Sequence, residues 1–396
     1  MSNETPDYAG RSLIIHEQLR GKIGIHNKMP IKSRDDLSIA YTPGVARPCD
    51  AIAANPEAAR RLTIKDNSVA VVSDGSAVLG LGNIGPSAAI PVMEGKAMLF
   101  KEFAGIDAWP ICLDTQDASE IIETVRRIAP VFGGVNLEDI AAPKCFAVED
   151  ALQDLGIPVF HDDQHGTAIV LLAALMNASK VTGRPLTEMS VVINGAGAAG
   201  TAIAKLLRCV GHDPNVCVPV KEIVVCDSKG AIQRERTDLN PQKQALLGFT
   251  NHAGRSGDLP AVLQGVDVFI GVSKGDLLTA QDVKSMAADP VILAMANPIP
   301  EIMPDVARDA GAAVVGTGRS DFPNQVNNVL AFPGIFRGAL NAQAQRITDE
   351  MKIAAAKALA STIESPTADR ILPDPLDSRV SPRVATAVER AWQSGA

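Results

Sequence analysis

None of the six cysteines, Cys49, Cys112, Cys145, Cys209, Cys217 and Cys226, falls in a CxxC pair, which removes zinc ribbons and thioredoxin-type redox motifs from consideration. Most of them sit among apolar neighbours and read as reduced core residues. There is no long block of lysine or arginine, and the formal charge of −8 argues against a nucleic-acid or anionic-membrane partner. The chain opens without a basic-then-apolar leader, and its apolar runs stop short of a membrane span, so the expected location is cytoplasmic. Internal repeats and low-complexity linkers are missing as well. What remains is an ordinary soluble composition, 46% hydrophobic and 21% charged over 396 residues, enough for two or more cores.

Two runs place adjacent acids at the end of an apolar stretch: Val135-Asn-Leu-Glu138-Asp139 and Val159-Phe-His161-Asp162-Asp163. In an α/β protein a strand delivers side chains into a cleft at such a point. Carboxylates gathered there repel one another, and a divalent cation would neutralise them. The competing reading is solvated loop ends or helix caps. His161 and His165 have the H-x-x-x-H spacing of a helical zinc hydrolase, which needs both rings on one helical face. Because Pro158-Val-Phe160 reads as extended and a helix is expected from Gly166 or Thr167, the two rings should diverge.

Strand-like runs recur along the chain, at Ser68–Ser73, Trp109–Asp114, Met189–Asn194, Ile223–Asp227, Val266–Gly271, Pro290–Asn297 and Ala312–Gly316. Helical stretches alternate with them, which is the rhythm of a doubly wound parallel sheet. Tyr8–Leu19 reads as a helix, and an alanine-rich amphipathic helix is expected over Gly338–Ile363. Two GxGxxG loops compete for a dinucleotide, Gly80 to Gly85 and Gly195 to Gly200. The small residues after Gly200 permit close helix-to-strand packing, whereas Pro86, Pro91, Glu94 and Lys96 should break or charge the helix after Gly85. The second loop is therefore preferred, with the first as a substrate-side turn. Asp227 would face the adenosine ribose and favour NAD, while Ser228 and Lys229 could hold a 2′-phosphate. Lys96 stands among small and apolar residues, where burial would lower its pKa towards that of a base. A snorkelling surface lysine is the alternative.

Taken together, Tyr41-Thr-Pro-Gly-Val-Ala46, Ser73-Asp-Gly-Ser-Ala77 running on to Pro86, Glu94-Gly-Lys96-Ala97, Asn136-Leu-Glu138-Asp139, His161 to Thr167 and Gly318-Arg319 running on to Asn328 resemble the malic enzyme family in its short prokaryotic form. The resemblance covers about residues 10–360. It implies an α/β fold with a malic enzyme substrate domain over 1–160, then a Rossmann-type dinucleotide-binding domain with C-terminal helices over 161–396. The implied reaction is oxidative decarboxylation of L-malate to pyruvate and CO2, with NADP or NAD reduced and Mg2+ or Mn2+ required. Position by position, the resemblance makes Glu138, Asp139 and Asp163 metal ligands, Lys96 the general base, Tyr41 the general acid and Asp162 the support of the lysine. Gly195, Gly197, Ala198, Ala199, Gly200, Asp227, Ser228 and Lys229 would line the coenzyme, Asn297 would meet coenzyme and substrate, and Asn327 and Asn328 the substrate. Ala77 stands where larger members grip a malate carboxylate with arginine, so that either another cation, Arg319 or Lys28, takes that place or the metal and amides suffice. The coenzyme lean is to NADP, and a homodimer or larger homo-oligomer is expected. A malolactic or oxaloacetate-decarboxylating enzyme of the same fold is the alternative.

Overall fold

The computed structural model describes residues 7–78 and 80–395. Two sheets organise the chain. The first has four parallel strands in the order β2-β1-β3-β4, formed by β1 (Ser68–Ser73), β2 (Asp107–Cys112), β3 (Gly134–Leu137) and β4 (Val159–His161). Every residue of β1, β3 and β4 is buried, as expected of parallel strands covered on both faces by helices.

The second sheet has the order β10-β9-β8-β5-β6-β7. It comprises β5 (Ser190–Asn194), β6 (Glu222–Asp227), β7 (Gly230–Ala231), β8 (Val268–Gly271), β9 (Val291–Ala294) and β10 (Val314–Thr317). All its pairings are parallel except the short β6–β7 edge. The chain leaves β5 towards β6 on one side and later returns to β8 on the other. The switch point of this doubly wound sheet is therefore the C-terminal end of β5.

Between the sheets runs the Asp162–Thr182 helix, whose residues Ala168 to Leu175 are all buried. A helix apolar all round must be enclosed, and this one shares a core with residues of both sheets, including Val69, Phe160, Ile193 and Val225. It stops at Gly183, whose φ of 69° is the left-handed conformation of a helix C-cap. It begins earlier than the glycine at 166 suggested. Asp162 and Asp163 occupy its first turn, where the helix dipole favours carboxylates.

Three further expectations are corrected. Pro91 does not break the helix after Gly85, which runs without interruption over Gly85–Ala104. Buried Ala89, Met93, Ala97 and Phe100 hold one stripe of it, and this packing outweighs the roughly 3 kcal/mol penalty of an internal proline. The helix expected over Gly338–Ile363 is two, Phe332–Asn341 and Asp349–Ala360, because Thr348 caps a new start by accepting from the Met351 N–H. Finally, Cys209 and Cys217 form a disulfide across the turn after the Ala198–Leu207 helix, so cysteine usage does not mark a reducing compartment. The other four cysteines are free. No described helix is long and apolar enough to cross a membrane.

Candidate active site

The acids come together through strand register. β3 and β4 are neighbours, with Leu137 opposite His161, so the residues that follow each strand emerge side by side. Glu138 and Asp139 leave β3, and Asp162 and Asp163 leave β4. One carboxylate oxygen from each of Glu138, Asp139 and Asp163 lies within 4.8 Å of the others. The Asp139 N–H donates to Asp163 Oδ2 at 2.8 Å, which ties the two segments together. Burial, and then the charges of Asp163 and Glu138, push the Asp139 carboxyl up to about 9. Burial pushes Asp163 up to about 6 against the pull of Lys96, and raises Glu138 as well. Asp139 Oδ2 is buried with no hydrogen-bond partner. An oxygen trio with an orphaned carboxylate oxygen and raised proton affinity fits a hard divalent cation.

Lys96 comes from the Gly85–Ala104 helix and is 7% exposed. Its Nζ lies 2.6 Å from Asp162 Oδ2, 2.8 Å from Glu138 Oε1 and 4.2 Å from the centre of the Phe332 ring. The expectation of a depressed pKa is reversed. Burial does pull it down, but the charges of Asp162 and Glu138 push it well above the ordinary lysine value. Asp162 is itself fixed by Asn328, whose Nδ2 donates to Oδ2 at 2.6 Å. Burial lifts the Asp162 carboxyl to about 6 although Lys96 opposes it. Glu138 takes a second bond from Asn136 Nδ2 at 2.8 Å.

The Asp74–Ala77 turn closes one side. The Ala77 N–H donates to the Asp139 carbonyl at 2.9 Å, Ser76 Oγ accepts from the Ala141 N–H at 2.9 Å, and Lys144 pairs with buried Asp74. Asn297 follows β9 and lies close to Gly80 and to Gly318 after β10: a Cβ on Gly318 would fall 2.6 Å from its Nδ2, and one on Gly80 would fall 3.4 Å from its carbonyl oxygen. Asn327 spends its side chain capping the next turn, accepting from the Val329 N–H at 2.9 Å. Arg319 pairs with Asp321 and donates at 2.9 Å to the carbonyl of Pro298, next to Asn297 in the sequence. Lys28 is exposed, and the acid it pairs with is Asp107. Tyr41 is not brought into the cluster. It ends the Arg34–Ala40 helix and is 69% exposed.

The histidines diverge. His161 is fully buried, 3.8 Å from Asp163, with both ring nitrogens unpartnered, while His165 turns to Glu149. Among the described residues the candidate metal cluster contains neither ring, which leaves the zinc-hydrolase alternative without a site.

At the switch point of the second sheet, three residues separate β5 from the Ala198–Leu207 helix. Gly200 permits this tight turn, since a Cβ there would fall 1.8 Å from the Gly195 carbonyl oxygen. By contrast, the Gly80–Gly85 segment is separated from the end of β1 by a longer excursion, and a bridge between Val78 and Gly82 closes it on itself. The Gly195–Gly200 turn sets a helix N-terminus directly after a strand end, the arrangement that suits a pyrophosphate. Beyond β6, Asp227 is not a free acid. Arg236 grips both its oxygens at 2.8 and 3.0 Å, Lys243 lies 2.5 Å away, and the Lys229 N–H donates at 2.9 Å. Burial would raise this carboxyl, but the Arg236 and Lys243 bonds hold it at about 2. The Lys229 side chain pairs with Asp238 at 2.7 Å, and Ser228 is exposed. Arg236 and Lys243 were missed because they lie nine and sixteen residues beyond Asp227 in the sequence.

Two family models account for most of the chain: "Malic enzyme, N-terminal domain" matches residues 20–153, and "Malic enzyme, NAD binding domain" matches residues 164–393. The chain belongs to the malic enzyme family. It is 56% identical to the bifunctional malic/malolactic enzyme of Bacillus subtilis (strain 168), over 96% of this chain and 92% of that protein. It is 55% identical to the NAD-dependent malic enzyme of Geobacillus stearothermophilus, over 97% and 79%. The NADP-dependent malic enzyme of Escherichia coli (strain K12) is 45% identical, with 96% of this chain matching 52% of that one. The crystal structure of the NAD-dependent malic enzyme of Thermotoga maritima superposes with a TM-score of 0.91 at 49% identity, covering 96% of this chain and 98% of that one. As a malic enzyme the chain is an NAD- or NADP-dependent oxidoreductase, and its second sheet belongs to the coenzyme-binding part.

Proposed function

We propose that this chain oxidatively decarboxylates L-malate to pyruvate and CO2 in the cleft between Lys96 and the Glu138, Asp139 and Asp163 trio, with residues 1–160 as the substrate domain and 161–396 carrying the coenzyme. The observation that carries the reading is a buried lysine wedged between two carboxylates, one of them shared with a trio suited to a divalent cation. Glu138, Asp139 and Asp163 would hold Mg2+ or Mn2+, a Lewis acid for a neighbouring hydroxyl or carbonyl oxygen, and the loop Gly195 to Gly200 would hold the coenzyme that accepts hydride.

The side chains then divide the proton work. Lys96 takes the proton of the malate 2-hydroxyl, which requires that Glu138 be drawn away from it so that one counter-charge is lost. Asp162, fixed by Asn328, keeps the ammonium aligned as it forms. Tyr41 donates the proton to C3 of enolpyruvate. Asn297 meets substrate and coenzyme, and Asn327 and Asn328 border the substrate. Arg236 and Lys243, with exposed Ser228, favour NADP, because Asp227 is already neutralised and an added 2′-phosphate meets cations.

Tyr41 lies on an arm in which no residue from Asp7 to Glu57 is buried and Ile14, Leu19, Ile25 and Ile39 stay exposed. That much unpartnered apolar surface supports a homodimer, with Tyr41 reaching the site of the second copy. A cytosolic location is part of this proposal, and there the Cys209–Cys217 pair would be reduced. The test is reduced-coenzyme formation from L-malate with NAD+ and NADP+ in parallel, with and without Mn2+. No reduction of either coenzyme would overturn the proposal. A second reading, malolactic turnover, is favoured by the similarity to the bifunctional malic/malolactic enzyme of Bacillus subtilis, and lactate rather than pyruvate as product would establish it.

A further inference from the structure

Glu149 is a buried acid for which the chemistry above has no use. It stands on the Lys144–Leu152 helix, which follows within a few residues of Glu138 and Asp139. Its carboxylate reaches across to the start of the Asp162–Thr182 helix. There it accepts from the His161 N–H at 3.2 Å and from Gln164 Nε2 at 3.0 Å, and it lies 2.9 Å from His165 Nε2. All three contacts fall within one helical turn of Asp162 and Asp163. Glu149 is 8% exposed, and its carboxylate faces the end of the helix that favours an anion.

The metal trio is built on two separate segments, one after β3 and one after β4. Besides the ladder, the Asp139–Asp163 hydrogen bond and Lys96, which bridges Glu138 and Asp162, Glu149 is a further polar tie between them, and it acts from outside the cluster. We propose that Glu149 is a positioning residue for the cation site: by clamping the first turn of the Asp162–Thr182 helix to the segment that carries Glu138 and Asp139, it fixes the spacing of the two halves of the trio. This rests on reading the trio as a cation site, and it extends that reading to a residue that touches neither cation nor substrate. Buried partners that orient metal ligands commonly change affinity by about 10–100-fold when removed.

The test uses the full chain with Glu149→Gln and Glu149→Ala, beside Asp163→Asn. Mn2+ binding is measured directly by calorimetry, and coenzyme binding and kcat at saturating Mn2+ are measured in parallel. Glu149, Gln164 and His165 all border a cavity of about 1190 Å3, so water can reach the groups that alanine leaves unpaired. Should the alanine variant fail to fold, the isosteric glutamine variant carries the test. The expected result is a Mn2+ dissociation constant raised about 10–100-fold, with kcat at saturating Mn2+ and coenzyme affinity changed by less than about threefold. A merely structural role would lower coenzyme binding and melting temperature together and leave Mn2+ affinity alone. Mn2+ affinity within about twofold of the parent in the folded Glu149 variants, while Asp163→Asn loses it, would overturn this inference alone. Unchanged affinity in Asp163→Asn would overturn the cation reading itself.

Discussion

Mn2+ binding should tighten with pH in two stages, because the trio that would hold the cation holds protons instead when the cation is absent. Burial and the neighbouring charges of Asp163 and Glu138 push Asp139 up to about 9, and burial pushes Asp163 up to about 6. Between pH 6 and 9 the metal-free cluster carries at least the Asp139 proton, which a cation must displace, so the dissociation constant should fall by about tenfold per pH unit or more, Glu138 being raised as well. Below about pH 6 a second proton is retained, and the slope should approach a hundredfold per unit. The sign for stability follows from the same shifts. These acids have folded pKa values above their unfolded ones, so between about 4 and 9 their contribution to metal-free stability falls as pH rises; His161, His165 and His212, lowered by burial, oppose it near and below the ordinary histidine range, so the net fall is expected above about pH 7. Mn2+ at a hundredfold excess over its dissociation constant should add about 2.7 kcal/mol. With an unfolding entropy of about 2.1 cal/mol/K per residue over the 396 residues, that is a rise in Tm of about 3 °C. Calorimetry in two buffers of different ionisation heat counts the released protons, and thermal scans with and without Mn2+ at pH 5.5, 7 and 8.5 give the stability. A dissociation constant that stays flat from pH 6.5 to 8.5, with no proton released, would refute the reasoning.

Other substitutions probe the remaining groups. Lys96→Ala should abolish turnover and, by leaving Glu138 and Asp162 facing each other without their cation, cost about 3–5 kcal/mol at pH 8 and less at pH 6, where the acids protonate; denaturant unfolding at both values checks it. Arg236→Ala should lower the ratio of kcat/KM for NADP to that for NAD by about tenfold or more, the scale of one lost charge-assisted hydrogen bond. An unchanged ratio would remove Arg236 from coenzyme selection. Tyr41→Phe and Lys96→Ala should each be inactive alone, yet co-expressed they should recover about a quarter of the parental activity if Tyr41 acts across a twofold dimer. Recovery of none would place Tyr41 and its lysine in one subunit.

Much of this protein was legible because parallel strands buried on both faces write themselves as short β-branched runs. Ser68–Ser73 and Met189–Asn194 differ from β1 and β5 by at most one residue. The paired acids at the ends of two such runs announced a cleft, since a carboxylate there is wasted unless something neutralises it. The helix through Pro91, the early start at Asp162 and the break before Thr348 were not legible, because each depends on a local penalty being outweighed by packing or capping.

The sequence by itself determined the inventory: which acids end strands, which glycines open a helix, and which lysine stands alone. Tertiary structure decided how that inventory is wired. The adjacency of β3 and β4 turned two distant acid pairs into one trio, and the placement of Glu138 and Asp162 around Lys96 reversed the direction of its pKa. Arg236 and Lys243 closed on Asp227, Glu149 reached the helix that carries Asp163, and Tyr41 stayed on the surface. The reason is range: burial and hydrogen bonding act over a few ångströms in space, and spacing along the chain does not encode which distant segments come that close.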